Sequence, residues 1–579
     1  MTKQGKSLDR KKLLSDPILM VTIIAVFVFL MLFILYPLVI LLTDSAVVEN
    51  SVIQNGVKQT SKHIGFENFI RIFKMVTFRK SISNTLWLGL ISGIGATVIG
   101  FLFAYVDSYV DTKSKIIKKL FNLVSVLPVV SPPFVLSLSA IFLFGRTGLV
   151  TRNLLNLSQT SLYGWKGIAL VQILTFFPVC YLMLKGLLKN VDPSLEEAAR
   201  NMGASRFQVF KTVTLPLLLP GIGNAFLVTF IESVADFANP MIIGGNFDTL
   251  ATSIYLQLTG AYDKSGATAM AVVLLTISMG LFVLEKYYLE RKSVATLTGK
   301  ASRERQLITD KAVIFPLITV CMLITVFVLI MYALVPLGSL FKIWGRDYSL
   351  SLKWYQYIFK NNGWRVFTDS IMLSLVASPI TAFLSMIIAY LVVKRKFAGK
   401  GIMEFVAMLA MAVPGTVLGV GFIRGFNSGL FHTGFLSGIY GTAAILVIVF
   451  VVRSLPIGTR SAIAALRQID KSIEEAAYDM GANSGKVFTT VTLPLIRDSF
   501  ISSLVTTFVR SITAISAVIL LVTPKYLLIT VRINEFAEKG SYGVACAYAT
   551  VLIIITYAAI SIMNLILNKI GKSGRVKES

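Results

Sequence analysis

The chain has 579 residues, 55% of them hydrophobic and only 15% charged, with a mean hydropathy of +0.76. A soluble chain of this length needs far more charge to cover its surface, so a soluble globular protein is excluded. The net charge of +26 is spread over short basic segments between apolar runs, with no basic groove interleaved with aromatics. That pattern excludes a nucleic-acid partner and fits the positive-inside rule of membrane proteins.

Twelve apolar segments are expected to cross the membrane as helices. In chain order they cover roughly 18–42, 82–107, 120–145, 167–189, 215–242 and 268–290, then 312–341, 369–393, 402–423, 436–459, 500–523 and 543–567. The longest suffice to cross a hydrocarbon core of about 30 Å at 1.5 Å per residue. The alternating ten-residue strands of a membrane barrel are absent from the sequence. The basic stretch from Lys3 to Lys12 precedes an apolar run too long for a signal-peptide core, which predicts a retained first helix. Placing both termini in the cytoplasm puts more of the 55 Lys and Arg on that side, including the basic linker at 291–311. The expected domains are a first six-helix half at 1–290, that linker, and a second six-helix half at 312–579.

The chain repeats itself. Residues 195–217 read LEEAARNMGASRFQVFKTVTLPL and residues 473–495 read IEEAAYDMGANSGKVFTTVTLPL, without a gap. Tyr36-Pro37-Leu38 answers Val335-Pro336-Leu337, and Pro132 to Leu136 answers Pro414 to Leu418. Six spans is an even number, so both halves share one orientation. A pseudo-twofold axis along the membrane normal should relate them.

Each strong repeat follows the fourth span of its half and should lie in the cytoplasm. Asp192-Pro193 opens the first, with Glu196 and Glu197 in the first turn, where acidic groups suit the positive end of a helix dipole. Gly203 and Gly481 should end a short helix at a residue free to take a positive φ, followed by a second helix. Leu215-Pro216 and Leu493-Pro494 then open the fifth spans.

At these residues the sequence resembles the permeases of ATP-binding-cassette importers of the type I class, whose Glu-Ala-Ala loop carries this pattern. The resemblance implies an all-α integral membrane fold with about twelve transmembrane helices. It implies that Glu196, Glu197, Ala198, Ala199 and Gly203, with Glu474, Glu475, Ala476, Ala477 and Gly481, form two coupling loops that dock on ATP-hydrolysing subunits. Two loops imply two such subunits at the cytoplasmic face, and the class implies an extracytoplasmic substrate-binding protein. It places the chain in the cytoplasmic membrane, with no cofactor of its own, ATP and Mg being held by the partner subunits. A fused double permease with FIESVADFANPMIIGGNFDTLATSIY at 230–255 further resembles ferric-iron uptake permeases. Permeases for phosphonate, thiamine, sulfate and polyamines share features around Asp236, Pro240, Gly244 and Gly245, so these substrates stay open.

Three ionisable residues stand out inside the spans: Glu232, Asp236 and Arg510. Such groups are costly in lipid and usually face a cavity or a partner. Glu232 and Arg510 are equivalent under the repeat, which suggests an ion pair across the axis that could latch one state. Separate bonding of each within its own half is the other reading. Asp236 could touch substrate or cap a helix end, and Arg453 is expected to snorkel to the interface. Pro128, Pro132, Pro133 and Pro414 should kink or break the third spans.

No phosphate-binding loop is present. Gly481 to Lys486 has one residue too few between its glycines, and no Ser or Thr follows the lysine. No Ser/His/Asp set, carboxylate pair or metal-ligand spacing appears, which points away from an enzyme. Cys180, Cys321 and Cys546 lie far apart in apolar runs and read as small buried hydrophobes. A secondary transporter working alone could also be duplicated, but it has no use for two such loops.

Overall fold

A computed structural model describes residues 17–54, 57–157, 159, 162–289, 305–427, 437–482 and 484–575. The N-terminal basic stretch, most of the linker and His432 lie outside them. Among the described residues, ten helices are long and apolar enough to cross a membrane, from Pro17–Ala46 to Tyr542–Ile566. A further apolar pair is bent: Lys400–Ala412 and Gly415–Asn427 meet at 112° around Val413-Pro414, the geometry of a broken span or a re-entrant loop. Proline lacks the donor that would continue the ladder and its ring clashes with the preceding turn, so the helix changes direction there. The first half breaks at the matching place, where Ser131-Pro132-Pro133 separates Lys115–Val130 from Val135–Phe144.

Both fifth spans stop short of expectation. In the first half a continuous helix runs over Arg206–Ala235, so the second leg of the coupling loop is itself the start of the span. It stops at Ala235 instead of running to 242, because Asp236 turns extended (ψ 122°) and the chain re-enters a short helix, Ala238–Ile243. In the second half the helix stops at Ile512 instead of running to 523, and Arg497–Ile512, set off from Leu493–Leu495 at Ile496, is only 16 residues long. That is about 24 Å of helix, too short to span alone. Two further helices between the fifth and sixth spans, Leu250–Thr259 and Ile529–Glu538, bury Leu250, Ile254, Ile529 and Ile533.

Both halves pack by one plan. The second, fourth and fifth spans lie against one another: Val76–Tyr109, Trp165–Asn190 and Leu215–Ala235 in the first, Trp364–Lys394, Ala443–Leu466 and Arg497–Ile512 in the second. Small residues let these helices approach closely, as membrane helices require when lipid is as apolar as leucine. A Cβ on Gly100 would stand 2.5 Å from the Cβ of Cys180 and 2.8 Å from the carbonyl oxygen of Phe177.

The first span of each half packs on the other half. Tyr36–Ala46 lies along Gly415–Asn427, and Lys311–Leu340 lies along Val135–Phe144. The Tyr36 hydroxyl donates to the Gly425 carbonyl at 2.9 Å, and Arg424 pairs with Asp44 at 2.7 Å. In the reciprocal contact the Ser139 hydroxyl donates to the Met331 carbonyl, and Phe142 stacks on Trp344 at 4.3 Å.

Candidate functional site: two repeated loops

The two repeated loops fold alike. Asp192 caps Pro193–Asn201 by accepting the Ser194 N–H at 3.0 Å. Asp470 does the same for Ser472 at 3.0 Å at the start of Lys471–Asp479. An aspartate there satisfies one of the helix's unpaired N–H groups. Both helices end in one motif. Gly203 and Gly481 adopt φ of +89° and +81°, and the N–H groups of Ala204 and Ala482 reach back to the carbonyls of Ala199 and Ala477, each at 3.1 Å. This six-to-one bond past a left-handed residue favours glycine, since a Cβ there clashes with the following carbonyl.

After the turn, Ser205 and Gln208 cap the second leg reciprocally, at 3.3 and 2.7 Å. A wider π-type turn, Phe210–Thr214 and its counterpart Phe488–Thr492, precedes each Leu-Pro pair and accommodates the donor the proline lacks.

The loops turn an apolar knob outward. Met202 is 83% exposed and Met480 84%, while Leu195 and Ile473 are about half exposed. Ala198 and Ala476 are exposed, whereas Ala199 and Ala477 face inward and are buried. Methionine at the tip of a polar helical turn is a surface that adapts to a partner. Glu197 is half-buried and Glu475 exposed. The Glu474 side chain lies outside the described positions.

Glu196 does not point outward. Its Oε1 accepts from the Tyr109 hydroxyl and the Thr214 hydroxyl, both at 2.7 Å, and Arg305 Nε stands 3.4 Å from Oε2. It holds the helix Pro193–Asn201 to the ends of the second and fifth spans. Tyr109, Thr214 and Arg305 were not singled out in the sequence. The available signal was the aromatic run Tyr105, Tyr109 and Phe210, which meets here, with Tyr105 edge-on to Phe210 at 5.6 Å. The second half repeats that contact with Tyr390 on Phe488 at 5.1 Å. Lys394 stands in the place of Tyr109 and donates to the Ile469 carbonyl at 3.5 Å.

The ionisable residues of the spans lie apart from these loops. Asp236 is tied wholly within the first half. Its carboxylate accepts from Gln172 Nε2 at 2.8 Å, Asn239 Nδ2 at 2.9 Å and the Ala238 N–H at 3.1 Å. Gln172 in turn accepts from Ser92 and Ser233, and Asn239 from Ser137. The network joins four spans and anchors the short helix Ala238–Ile243. Among the described residues, no hydrogen bond or ion pair joins Glu232 to Arg510. Arg453 does not snorkel. It lies mid-helix and donates to the Val413 carbonyl at 3.3 Å, where the break at Pro414 leaves that acceptor without a helical donor. Among the described residues no group of three or more His, Cys, Asp or Glu is placed to hold a metal ion.

Comparison with known proteins agrees with this geometry. The profile of binding-protein-dependent transport system inner membrane components matches residues 96–294 and again 381–572. A ferric transport system permease protein of Actinobacillus pleuropneumoniae is 37% identical, over 85% of this chain and 72% of that protein. A Haemophilus influenzae protein with the same kind of name is 38% identical over 79% of this chain and 72% of its own length. A molybdenum transport system permease of Escherichia coli is 31% identical over 28% of this chain and 73% of that protein.

Proposed function

Because the chain belongs to the family of binding-protein-dependent transport system inner membrane components, we propose that it forms the whole translocation pathway of an ATP-driven importer for ferric iron. The observation that carries the coupling reading is the pair of matched loops, each ending on a left-handed glycine and each presenting an exposed methionine. Such knobs suit insertion into a cleft on a partner, and two of them suit two ATP-hydrolysing subunits at the cytoplasmic face. Those subunits would hold ATP and Mg. The chain itself carries out no chemistry; its residues dock, transmit and gate. Both termini face the cytoplasm in this reading, which puts the loops after the fourth spans on the same side.

Transport then follows from the packing. An extracytoplasmic binding protein delivers its cargo to the opposite face. ATP binding draws the two partner subunits together and moves both coupling helices. In the first half the loop's second leg continues unbroken into the fifth span, so displacement of Pro193–Asn201 passes into Arg206–Ala235 as one lever. Rocking of the halves opens the path alternately to either side. The two relatives named for ferric transport align over most of this chain, whereas the molybdenum permease aligns over about a quarter, which supports ferric iron as cargo.

The test is reconstitution in liposomes with candidate ATPase subunits and binding proteins, measuring ATP hydrolysis against uptake of ferric iron and of aminoethylphosphonate. Iron-stimulated hydrolysis that is lost, together with ATPase co-purification, in Glu197→Lys and Glu475→Lys is the expected result. Uptake driven by an ion gradient with no ATPase attached would overturn it.

A further inference from the structure

The segment that joins the two halves does more than connect them. Its Arg305 side chain is 11% exposed and reaches three elements of the first half at once. One terminal nitrogen donates to the Leu188 carbonyl and the other to the Val191 carbonyl, each at 2.9 Å. These oxygens belong to the end of the fourth span, where a helix leaves its last carbonyls without internal partners. The guanidinium plane sits 4.0 Å from the centre of the Tyr109 ring at the end of the second span. Its third nitrogen faces Glu196 of the coupling helix at 3.4 Å.

Three residues later the backbone joins as well. The Ile308 N–H donates to the Tyr109 carbonyl at 2.8 Å, and its own carbonyl accepts from the Asp111 N–H at 3.1 Å. From there the chain enters Lys311–Leu340, capped by Asp310. A lysine could not reproduce this set, because two divergent carbonyls and a ring face need a planar, forked cation.

We propose that Arg305 is a positioning residue that fixes the first coupling helix to the ends of the second and fourth spans. The inter-half segment thereby acts as a strut for force transmission. The inference rests on the reading of 193–201 as a coupling helix, but its first test needs no partner. Arg305 ties this helix down, so its removal frees the helix while the bundle stays folded. Tyr109→Phe removes the hydroxyl bond to Glu196 and keeps the ring under the guanidinium, so it should produce a smaller change of the same kind.

The experiment is hydrogen exchange on the purified full chain in detergent, followed by transport in the reconstituted complex. In Arg305→Ala and Arg305→Lys, amides of 193–201 should exchange about tenfold faster, the scale of losing one or two such bonds. Amides of 471–479 should not change. In liposomes the same variants should retain ATPase binding and hydrolysis while moving several-fold less cargo per ATP. Unchanged exchange at 193–201 in both variants overturns the strut, as does rescue by lysine. If exchange responds but even the wild-type chain recruits no ATPase, the strut stands and the coupling reading fails.

Discussion

Gly203 and Gly481 hold the same left-handed backbone conformation, at φ of +89° and +81°, at equivalent points of the two halves. A Cβ added at either would meet nothing within 4 Å, so the need for glycine is conformational and not steric. Gly203→Ala and Gly481→Ala should each strain their loop by about 1 kcal/mol, leaving the fold intact. ATPase binding in detergent should weaken roughly five- to tenfold in each. Asparagine, which tolerates this conformation, should cost less. Alanine variants that bind as tightly as wild type would separate the glycines from docking.

Asp236 is a structural carboxylate in this arrangement. Replacing it with alanine leaves Gln172, Asn239 and the Ala238 N–H without their acceptor inside the bundle. The expected loss is about 2–4 kcal/mol, seen as a lower melting temperature and poorer yield. The folded fraction should keep the wild-type apparent affinity for cargo. A large rise in KM with unchanged melting would instead make Asp236 a substrate contact.

A pH dependence follows from the loop before the sixth span of the first half. Burial alone would push the Asp263 carboxyl up, but the Arg71 guanidinium at 2.6 Å, the Gly266 N–H and the Gln257 amide outweigh it and hold it below the usual carboxylate range. A carboxyl lowered on folding contributes stability above its unfolded pKa of about 4. That contribution is lost as pH falls through the lower folded value. The melting temperature of wild type should therefore exceed that of Asp263→Asn at pH 7, and the gap should close on acidification through the lowered folded value. A gap independent of pH would assign the effect to the helix cap alone.

Glu232 and Arg510 carry opposite charges at equivalent positions of the two fifth spans, and no ion pair joins them among the described residues. If they form a latch, it closes in another state of the cycle. Arg510→Ala should then raise basal ATP hydrolysis in the complex, and Arg510→Glu should be partly rescued by Glu232→Arg. Tight basal hydrolysis and no cross-rescue would leave the two charges as independent members of their halves.

Much of this molecule was legible in its sequence because membrane helices and repeats leave strong signals. Long apolar runs located the spans, and the copy at 473–495 located both coupling loops and their glycines. The prolines marked the broken third spans. Other features had no local signal. The stop at Ala235 depends on Asp236 meeting Gln172 from another span, and the stop at Ile512 falls inside an uncharged run that continues to 523. Arg453 read as a snorkelling cation because its acceptor, the Val413 carbonyl, exists only once Pro414 has broken a helix 40 residues away. Two of the three partners of Glu196 come from 87 residues before it and more than a hundred after it.

The exchange of first spans has a consequence during synthesis. Tyr36 finds its acceptor at Gly425, 389 residues later in the chain. At a translation rate of about 5–20 residues per second, the seat for the first span emerges roughly 20–80 s after the span itself. Until then only one side of the leading helix has its partner, Lys264–Leu284 of its own half, and the first half is an unfinished clasp. Lys311–Leu340 meets the opposite situation, since Val135–Phe144 is already in the membrane when it arrives. The half made first is therefore completed last.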